Sequence, residues 1–197
     1  MDENRVDETP ASVNRSAETP GAPDSSRSAA ESRRPSPRDL DVLSRQLGRP
    51  VRDVVEIPAR CVCGNPLVAA TSPRLSNGTP FPTTFYLTCP RAASRIGTLE
   101  ASGLMSEMSD RLADDPALAA AYQRAHEAYL DFRESIAQVP EIAGVSAGGM
   151  PHRVKCLHVL AGQALAAGPG VNPLGDEVVA LLGEFWVAGP CVVAPSG

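Results

Sequence analysis

The cysteines are the residues of this 197-residue chain whose type and spacing most directly indicate chemistry. Cys61 and Cys63 form a C-x-C pair followed by a glycine, Cys89 stands before a proline, and Cys156 follows a lysine. Because residues i and i+2 of a strand point to the same face, the first pair can bind one ion. Thiolates hold zinc in a tetrahedral array with bonds of about 2.3 Å. The sequence therefore predicts a metal site, with zinc as the candidate cofactor, built from Cys61, Cys63, Cys89 and Cys156.

Two other interpretations of the same cysteines stay open. Structural zinc sites generally use C-x-x-C pairs rather than the C-x-C spacing found here, and no standard iron–sulfur spacing is present. A thiol-lined active site without a metal is the second interpretation. The third is plain burial, because free cysteine is among the residue types most often buried. The fifth cysteine, Cys191, is placed outside the predicted site.

Three residues are the catalytic candidates if the chain is an enzyme: His126, Cys156 and His158. A cysteine can act as a nucleophile, and histidine exchanges protons near neutral pH. Residues two apart on a regular helix point about 200° apart. Cys156 and His158 can therefore share an ion only if residues 155–158 form the irregular start of a helix.

His126 lies on a polar and aromatic stripe together with Tyr122, Tyr129 and Arg133. Their i, i+4, i+7 and i+11 spacing places them on one face of a predicted long helix. This face can carry an acid or base in the form of His126. Alternatively, the two tyrosines are core residues whose hydroxyl groups reach polar partners, with the histidine at the boundary.

Four basic residues accompany the cysteines along the chain. Positive charge lowers the pKa of a nearby thiol, and guanidinium groups bind carboxylate or phosphate. We therefore expect a small anionic ligand, although basic residues at the ends of elements also occur simply as surface charge. The predicted anion-binding residues are Arg60, Arg91, Arg153 and Lys155.

Composition and missing motifs exclude several classes of function. The chain has a net charge of -5 and only 4% aromatic residues, which predicts no nucleic-acid partner. It has no apolar run of about 20 residues and no secretory signal, so we expect a cytoplasmic protein with no membrane partner and no stable disulfides. The signatures of nucleotide-binding loops, serine hydrolases and zinc proteases are absent.

The polar, proline-rich residues 1–35 are predicted to be a disordered tail, and residues 36–194 a single α+β domain. Strand-like segments at 51–57, 67–71 and 81–88, joined by short turns, predict a three-stranded antiparallel meander. A helix is predicted to begin at Pro37 after the N-cap Ser36 and to end at Gly48, with Leu40, Leu43 and Leu47 on one face. About five further helices are expected to pack against the sheet, at 91–101, 104–112, 116–138, 154–167 and 176–186.

Several motifs in order resemble the bacterial family catalogued as domain of unknown function 501, over about residues 51–177. The family is typical of actinobacteria, and its genes often lie near those for enolase, a septum-formation initiator and an exopolyphosphatase-like protein. This neighbourhood implies an association with central metabolism, division or polyphosphate handling, and no specific activity. The motifs are R-C-V-C-G at 60–64, G-T-P-F-P-T at 78–83, F-Y-L-T-C-P at 85–90, L-E-A at 99–101, A-H at 125–126 with Tyr129, and R-V-K-C-L-H at 153–158.

Together these patterns favour a cytoplasmic protein with a cysteine-lined site, zinc-binding in one interpretation, where the sheet meets the helices. An enzyme of this kind would act on a small anionic substrate through a cysteine or a metal-bound water. The alternative is a non-catalytic interaction protein, in which the cysteines are structural and the N-terminal tail recruits a partner.

Overall fold

The computed structural model describes residues 33–192, which form an antiparallel sheet of three strands and six α-helices. The predicted α+β class and the strand meander are confirmed. Most of the predicted tail, at residues 1–32, lies outside the described residues. In chain order the elements are α1 (Pro37–Leu47), β1 (Val54–Arg60), β2 (Pro66–Thr71), β3 (Phe85–Leu87), α2 (Pro90–Ala101), α3 (Leu104–Asp114), α4 (Pro116–Ile136), a 3-10 turn (Pro140–Ile142), α5 (Leu157–Ala167) and α6 (Pro173–Leu182).

The sheet has the order β1-β2-β3, with the largely buried β2 in the centre. Pro58 is tolerated in β1 because that strand lies at the edge, where a missing N–H need not break a ladder. β3 is limited to Phe85–Leu87, much shorter than the predicted 81–88. Pro80 and Pro82 precede it, and proline cannot donate to a strand ladder.

Helix α1 begins and ends at the residues that the sequence predicted. The Ser36 hydroxyl accepts a hydrogen bond from the Asp39 N–H (3.1 Å), and the Asp39 carboxylate accepts one from the Ser36 N–H (3.0 Å). Gly48 ends the helix with a φ of 67°, a left-handed conformation that favours glycine. The buried face differs from the predicted one, because Leu43 packs on the sheet while Leu40 is 39% exposed.

Helix α5 is held close to both the sheet and α6 by glycines. A Cβ atom at Gly162 would lie 3.2 Å from the Phe85 carbonyl oxygen of β3. A Cβ atom at Gly175 of α6 would overlap the Leu160 carbonyl oxygen of α5. These close approaches fix the position of α5, and with it the residues at its start.

Helix α5 starts at Leu157, three residues later than the sequence predicted. Cys156 is its N-cap, with extended backbone angles (φ −156°, ψ 111°). Of the predicted irregular stretch 155–158 only the first half is found, because Leu157 and His158 are the first two residues of α5. Cys156 lies outside the regular helix, so its side chain can still approach His158. Within residues 33–192, no helix has both the length and the apolarity needed to cross a bilayer.

Candidate metal centre

Three side chains of types that can bind a metal ion meet where the last turn of α2 contacts the start of α5. They are Glu100, Cys156 and His158, and one ligand atom from each lies within 4.8 Å of the other two. Carboxylate, thiolate and imidazole are the ligand types that zinc accepts in proteins. Among the residues that the structure describes, this is the only such group of three or more.

Glu100 positions the group because it caps α5. Cys156 makes no side-chain capping bond, and the first N–H groups of a helix need acceptors. The Glu100 Oε1 atom accepts a hydrogen bond from the Leu157 N–H (2.7 Å). This bond ties the C-terminal part of α2 to the N-terminus of α5 and brings the carboxylate beside Cys156.

The orientation of His158 is fixed at both ring nitrogens. Nε2 lies 3.2 Å from the Ala93 carbonyl oxygen, and Nδ1 lies 3.1 Å from Glu100 Oε1. A carbonyl oxygen only accepts hydrogen bonds, so Nε2 carries the hydrogen. Nδ1 is thereby directed at the carboxylate, where it holds either a proton or a metal ion. A carbonyl that fixes the second nitrogen is the usual outer support of a metal-binding histidine.

Glu100 and His158 each shift the pKa of the other. Hydrogen bonds from the imidazolium to Cys156 and to the Glu100 carboxylate, together with the charge of Glu100, raise the pKa of His158 to about 9 against the opposing effect of burial. Burial alone would raise the pKa of Glu100, but its bonds to His158 and Leu157 lower it below the ordinary value. At neutral pH the pair is therefore an imidazolium and a carboxylate, with a proton on Nδ1.

A cavity of about 630 Å³ lies beside this group, between α1, β3, α2 and α5. Cys156 and His158 form part of its wall, and among residues 33–192 no lysine or arginine lines it. Its surface is mainly apolar, with a few hydroxyl and amide groups. The other lining residues are Gln46, Leu47, Thr83, Phe85, Tyr86, Leu87, Thr88, Pro90, Ala93, Ser94 and Val159.

The structure groups the predicted cysteine ligands differently from the sequence interpretation. Cys61 and Cys63 lie in the turn after β1, and Cys89 is the N-cap of α2. The sulfur of Cys63 lies 3.7 Å from that of Cys191, the cysteine that was left out. Cys156 instead belongs to the group with Glu100 and His158. The reason is topological, because the end of β1 faces the C-terminal segment and not the start of α5.

The thiols near the end of β1 differ in acidity. Burial opposes ionisation of Cys63, but hydrogen bonds from the backbone of Cys191 and Asn65 and from the neighbouring thiols lower its pKa to about 7. Burial raises the pKa of Cys61 and that of Cys89, the latter to about 11. The charges of neighbouring cysteines add to both increases. Cys63 is therefore the member of this set that ionises most readily.

His126 lies outside the metal group, buried against the loop that follows α4. Its Nδ1 atom lies 2.9 Å from the Ser146 hydroxyl, and burial lowers its pKa. Tyr129 accepts a hydrogen bond from the Thr84 N–H (2.6 Å), and Tyr122 donates to the Arg153 carbonyl (3.3 Å). The tyrosines are thus core residues whose hydroxyl groups reach backbone partners, the alternative that the sequence left open. A catalytic role of His126 stays a prediction.

The predicted anion-binding residues are dispersed, and none of them lines the cavity. Arg60 forms an ion pair with Asp39 (2.6 Å) and holds the pKa of that carboxyl far below its usual range. Arg91 donates to the carbonyl oxygens of Ala188 (3.0 Å) and Pro190 (3.2 Å). Arg153 and Lys155 are exposed. Binding of an anion by these four residues stays a prediction.

Sequence reasoning missed Glu100 as a site residue. One signal was available, because an acidic side chain in the last turn of a helix opposes the helix dipole. Such a residue needs a compensating partner. The structure supplies it in the form of the N-terminus of α5 and the imidazole of His158.

Comparison with known proteins gives a family match over most of the folded chain. The model of the family described as "Protein of unknown function (DUF501)" matches residues 57–180. This range contains Glu100, Cys156 and His158 and ends before Cys191. No curated protein and no solved structure matches the chain.

Proposed function

The chain belongs to the family of unknown function DUF501, and we propose that it is a zinc-binding protein with a site for a small molecule beside the ion. Glu100, Cys156 and His158 would hold the metal. The observation that carries this proposal is the approach of their three ligand atoms to within 4.8 Å at the wall of the cavity.

The number of candidate ligands favours a catalytic zinc site over a purely structural one. Structural zinc sites are closed by four protein ligands, whereas catalytic sites use three and keep one position open. Here three side chains converge, and two of them also face the cavity. In such a site zinc supplies a Lewis acid that can activate a water molecule. The residues of the chain hold the ion and orient what enters the cavity.

The lining of the cavity indicates the class of molecule that it accepts. Phe85, Leu87 and Val159 provide apolar surface, while Thr88 and Ser94 provide hydroxyl groups. This combination suits a small molecule with an apolar body and at least one polar group. An anionic substrate would place its charge on the metal, because His158 is the only basic side chain in the wall among the residues that the structure describes.

The proton on His158 makes metal binding depend on pH. Nδ1 must lose its proton before it can bind zinc, and the pKa of this imidazole is raised to about 9. Zinc affinity at this site is therefore expected to increase as pH rises from about 6 to 9, with release of protons on binding.

Zinc titration of metal-free, reduced full-length protein tests the proposal. We expect C156S and E100Q each to lose the ion of this site, as seen from a reduced zinc stoichiometry. Glu100→Gln keeps an oxygen that can accept from the Leu157 N–H, so it removes the ligand but not the cap. His152→Gln is the matched control, because this imidazole is exposed and outside the group. Unchanged zinc binding by both C156S and E100Q would rule the site out.

The approach of the Cys156 sulfur to the imidazole of His158, within 4.8 Å, favours one second candidate, a cysteine enzyme that works without a metal. In that case Cys156 is the nucleophile, His158 the proton carrier and Glu100 the group that orients the imidazole. Alkylation of Cys156 separates the two proposals. Protection by zinc that a chelator reverses supports the metal site, whereas alkylation that neither treatment affects supports the nucleophile.

A further inference from the structure

Four of the five cysteines surround the end of β1, and we call them the cysteine cluster: Cys61, Cys63, Cys89 and Cys191. Cys63 lies two residues after Cys61, and its sulfur is 3.7 Å from that of Cys191. Cys89 is fully buried and lies at the same end of the sheet as Cys61, because the Thr88 N–H donates to the Leu67 carbonyl at the start of β2, where β1 ends. The cluster shares no residue with the centre formed by Glu100, Cys156 and His158.

The segment that carries Cys191 is held in place by residues next to the other cysteines. Arg91, two residues after Cys89, donates to the Ala188 and Pro190 carbonyl oxygens at 3.0 and 3.2 Å. Asn65, two residues after Cys63, donates to the Val192 carbonyl oxygen at 2.9 Å. The approach of Cys191 to the end of β1 is therefore fixed by contacts on both sides of it.

The surroundings of Cys191 also suit a negatively charged sulfur. The side-chain amides of Gln46 and Asn65 point N–H groups at its Sγ atom, at 3.4 and 3.6 Å. N–H donors interact more strongly with a thiolate than with a thiol, and they are typical outer partners of metal-bound cysteine. The side chains around Cys191 also contain three buried polar atoms that have no hydrogen-bond partner among the described residues. They are Gln46 Oε1, Asn65 Oδ1 and Arg91 Nη1.

We propose that Cys61, Cys63, Cys89 and Cys191 bind a zinc ion of their own, which fastens the C-terminal segment to the end of β1 and the start of α2. The 3.7 Å between the sulfurs of Cys63 and Cys191 fits the edge of a zinc tetrahedron, which is about 3.8 Å for bonds of about 2.3 Å. Four thiolates close the coordination sphere, so this ion is structural.

Zinc binding requires a small adjustment of the cluster. No three of its sulfurs lie within 4.8 Å of one another among the described residues, so the set is more open than a zinc site. Rotation of a cysteine to another staggered rotamer moves its sulfur by about 3 Å, and the proposal requires the set to close by such rotations. This proposal does not depend on the function proposed above, because the two sites use different residues.

The test is the zinc stoichiometry of reduced, metal-free full-length variants titrated with Zn²⁺ alone. We expect C63S and C191S each to bind one ion fewer than the wild-type protein. C156S should lose only the ion of the centre at Glu100, and H152Q, at an exposed residue outside both sites, is the matched control. Stoichiometry in C63S and C191S equal to that of the wild type overturns the cluster proposal alone, and equal stoichiometry in C156S overturns only the centre at Glu100.

A second measurement covers the case in which a variant fails to fold. In C156S protein, where the cluster is intact, we expect added Zn²⁺ to stop alkylation of Cys63 and Cys191, and a chelator to restore it. Alkylation of both residues at the same rate with and without Zn²⁺ would overturn the proposal. So would a Cys63–Cys191 disulfide that forms in air at the same rate with and without Zn²⁺.

Discussion

The centre at Glu100, Cys156 and His158 and the cysteine cluster differ in how the chain builds them. The centre joins two helices inside the range matched by the family, and its candidate ligand atoms are oxygen, sulfur and nitrogen beside a cavity. The cluster offers only sulfur atoms, and one of its cysteines, Cys191, lies beyond the matched range. This difference is the one that separates zinc sites in general. A mixed ligand set with an open position is typical of catalytic sites, whereas four thiolates are typical of sites that stabilise the position of a chain segment.

The two sites also depend on different supports. The centre relies on the position of α5, which close glycine contacts at Gly162 and Gly175 define. The cluster relies on hydrogen bonds that side chains such as Arg91 and Asn65 make to the C-terminal segment. A change in one support is therefore expected to disturb one site and spare the other.

The largest expected effect lies within the cluster and concerns thiol reactivity. In metal-free protein at pH 7, Cys63 should alkylate about 10³-fold faster than Cys89, because their pKa values are about 7 and about 11 and Cys89 is fully buried. Mass spectrometry of timed alkylation measures both rates. The rate for Cys63 should rise with pH around its midpoint near 7. Equal rates for the two thiols would show that the cluster does not distinguish them.

The next effect breaks the centre but not the cluster. Gly175→Ala places a methyl group against the Leu160 carbonyl and 2.9 Å from the Ala164 Cβ atom, and should cost about 3 kcal/mol of unfolding free energy. Urea unfolding measures this loss, and zinc stoichiometry should show that only the centre is affected. Gly97→Ala is the control, because its Cβ would contact nothing within 4 Å and alanine favours the helix. Equal stability of the two variants would refute the close packing of α5 and α6.

The third effect distinguishes the sites by pH in metal-free protein. The pKa of His158 rises from an ordinary 6.5 to about 9 on folding, so its stabilisation is complete below about pH 6.5 and is lost as pH rises through about 9. The side chain is 32% exposed, and after allowance for solvent screening the loss should be about 2 kcal/mol. Urea unfolding between about pH 6 and 10 should show this loss in wild type and H152Q, but not in H158Q. A parallel decline in all three proteins would contradict the assignment.

The smallest effect separates the structural role of Glu100 from its role as a ligand. Glu100→Ala leaves the Leu157 N–H without its acceptor and should cost about 1 kcal/mol more than Glu100→Gln, which keeps an oxygen there. Both variants should lose zinc at the centre. Thermal or urea unfolding in the presence of a chelator gives the difference in stability. If Gln is as destabilising as Ala, the capping role of Glu100 is wrong.

Local patterns were enough to predict most of the fold. Ser36, Pro37 and Gly48 define α1 because capping and left-handed backbone are properties of neighbouring residues. The meander follows from the short turns between consecutive strands. The third strand was predicted too long, because the prediction extended Phe85–Leu87 back through Pro82. The start of α5 was placed too early, because no residue type marks the N-cap at Cys156.

The site was predicted only in part, because its partners are distant in sequence. Cys156 and His158 were recognised as chemical groups, yet Glu100 lies 57 and 58 residues away from the two residues that it contacts, Leu157 and His158. Cys191 lies 128 residues from Cys63 and was left out. Residue type and spacing indicate which side chains can bind a metal, but not which of them meet.

By itself, the amino-acid sequence determined most of the secondary structure and the supply of thiol and imidazole groups. These are local properties, set by backbone preferences over a few residues. Only the tertiary structure decided that Cys156 joins Glu100 and that Cys63 joins Cys191. That choice depends on how α5 packs on β3 and α6 and on where the C-terminal segment returns to the end of β1, and such long-range contacts leave no periodic signal in the chain.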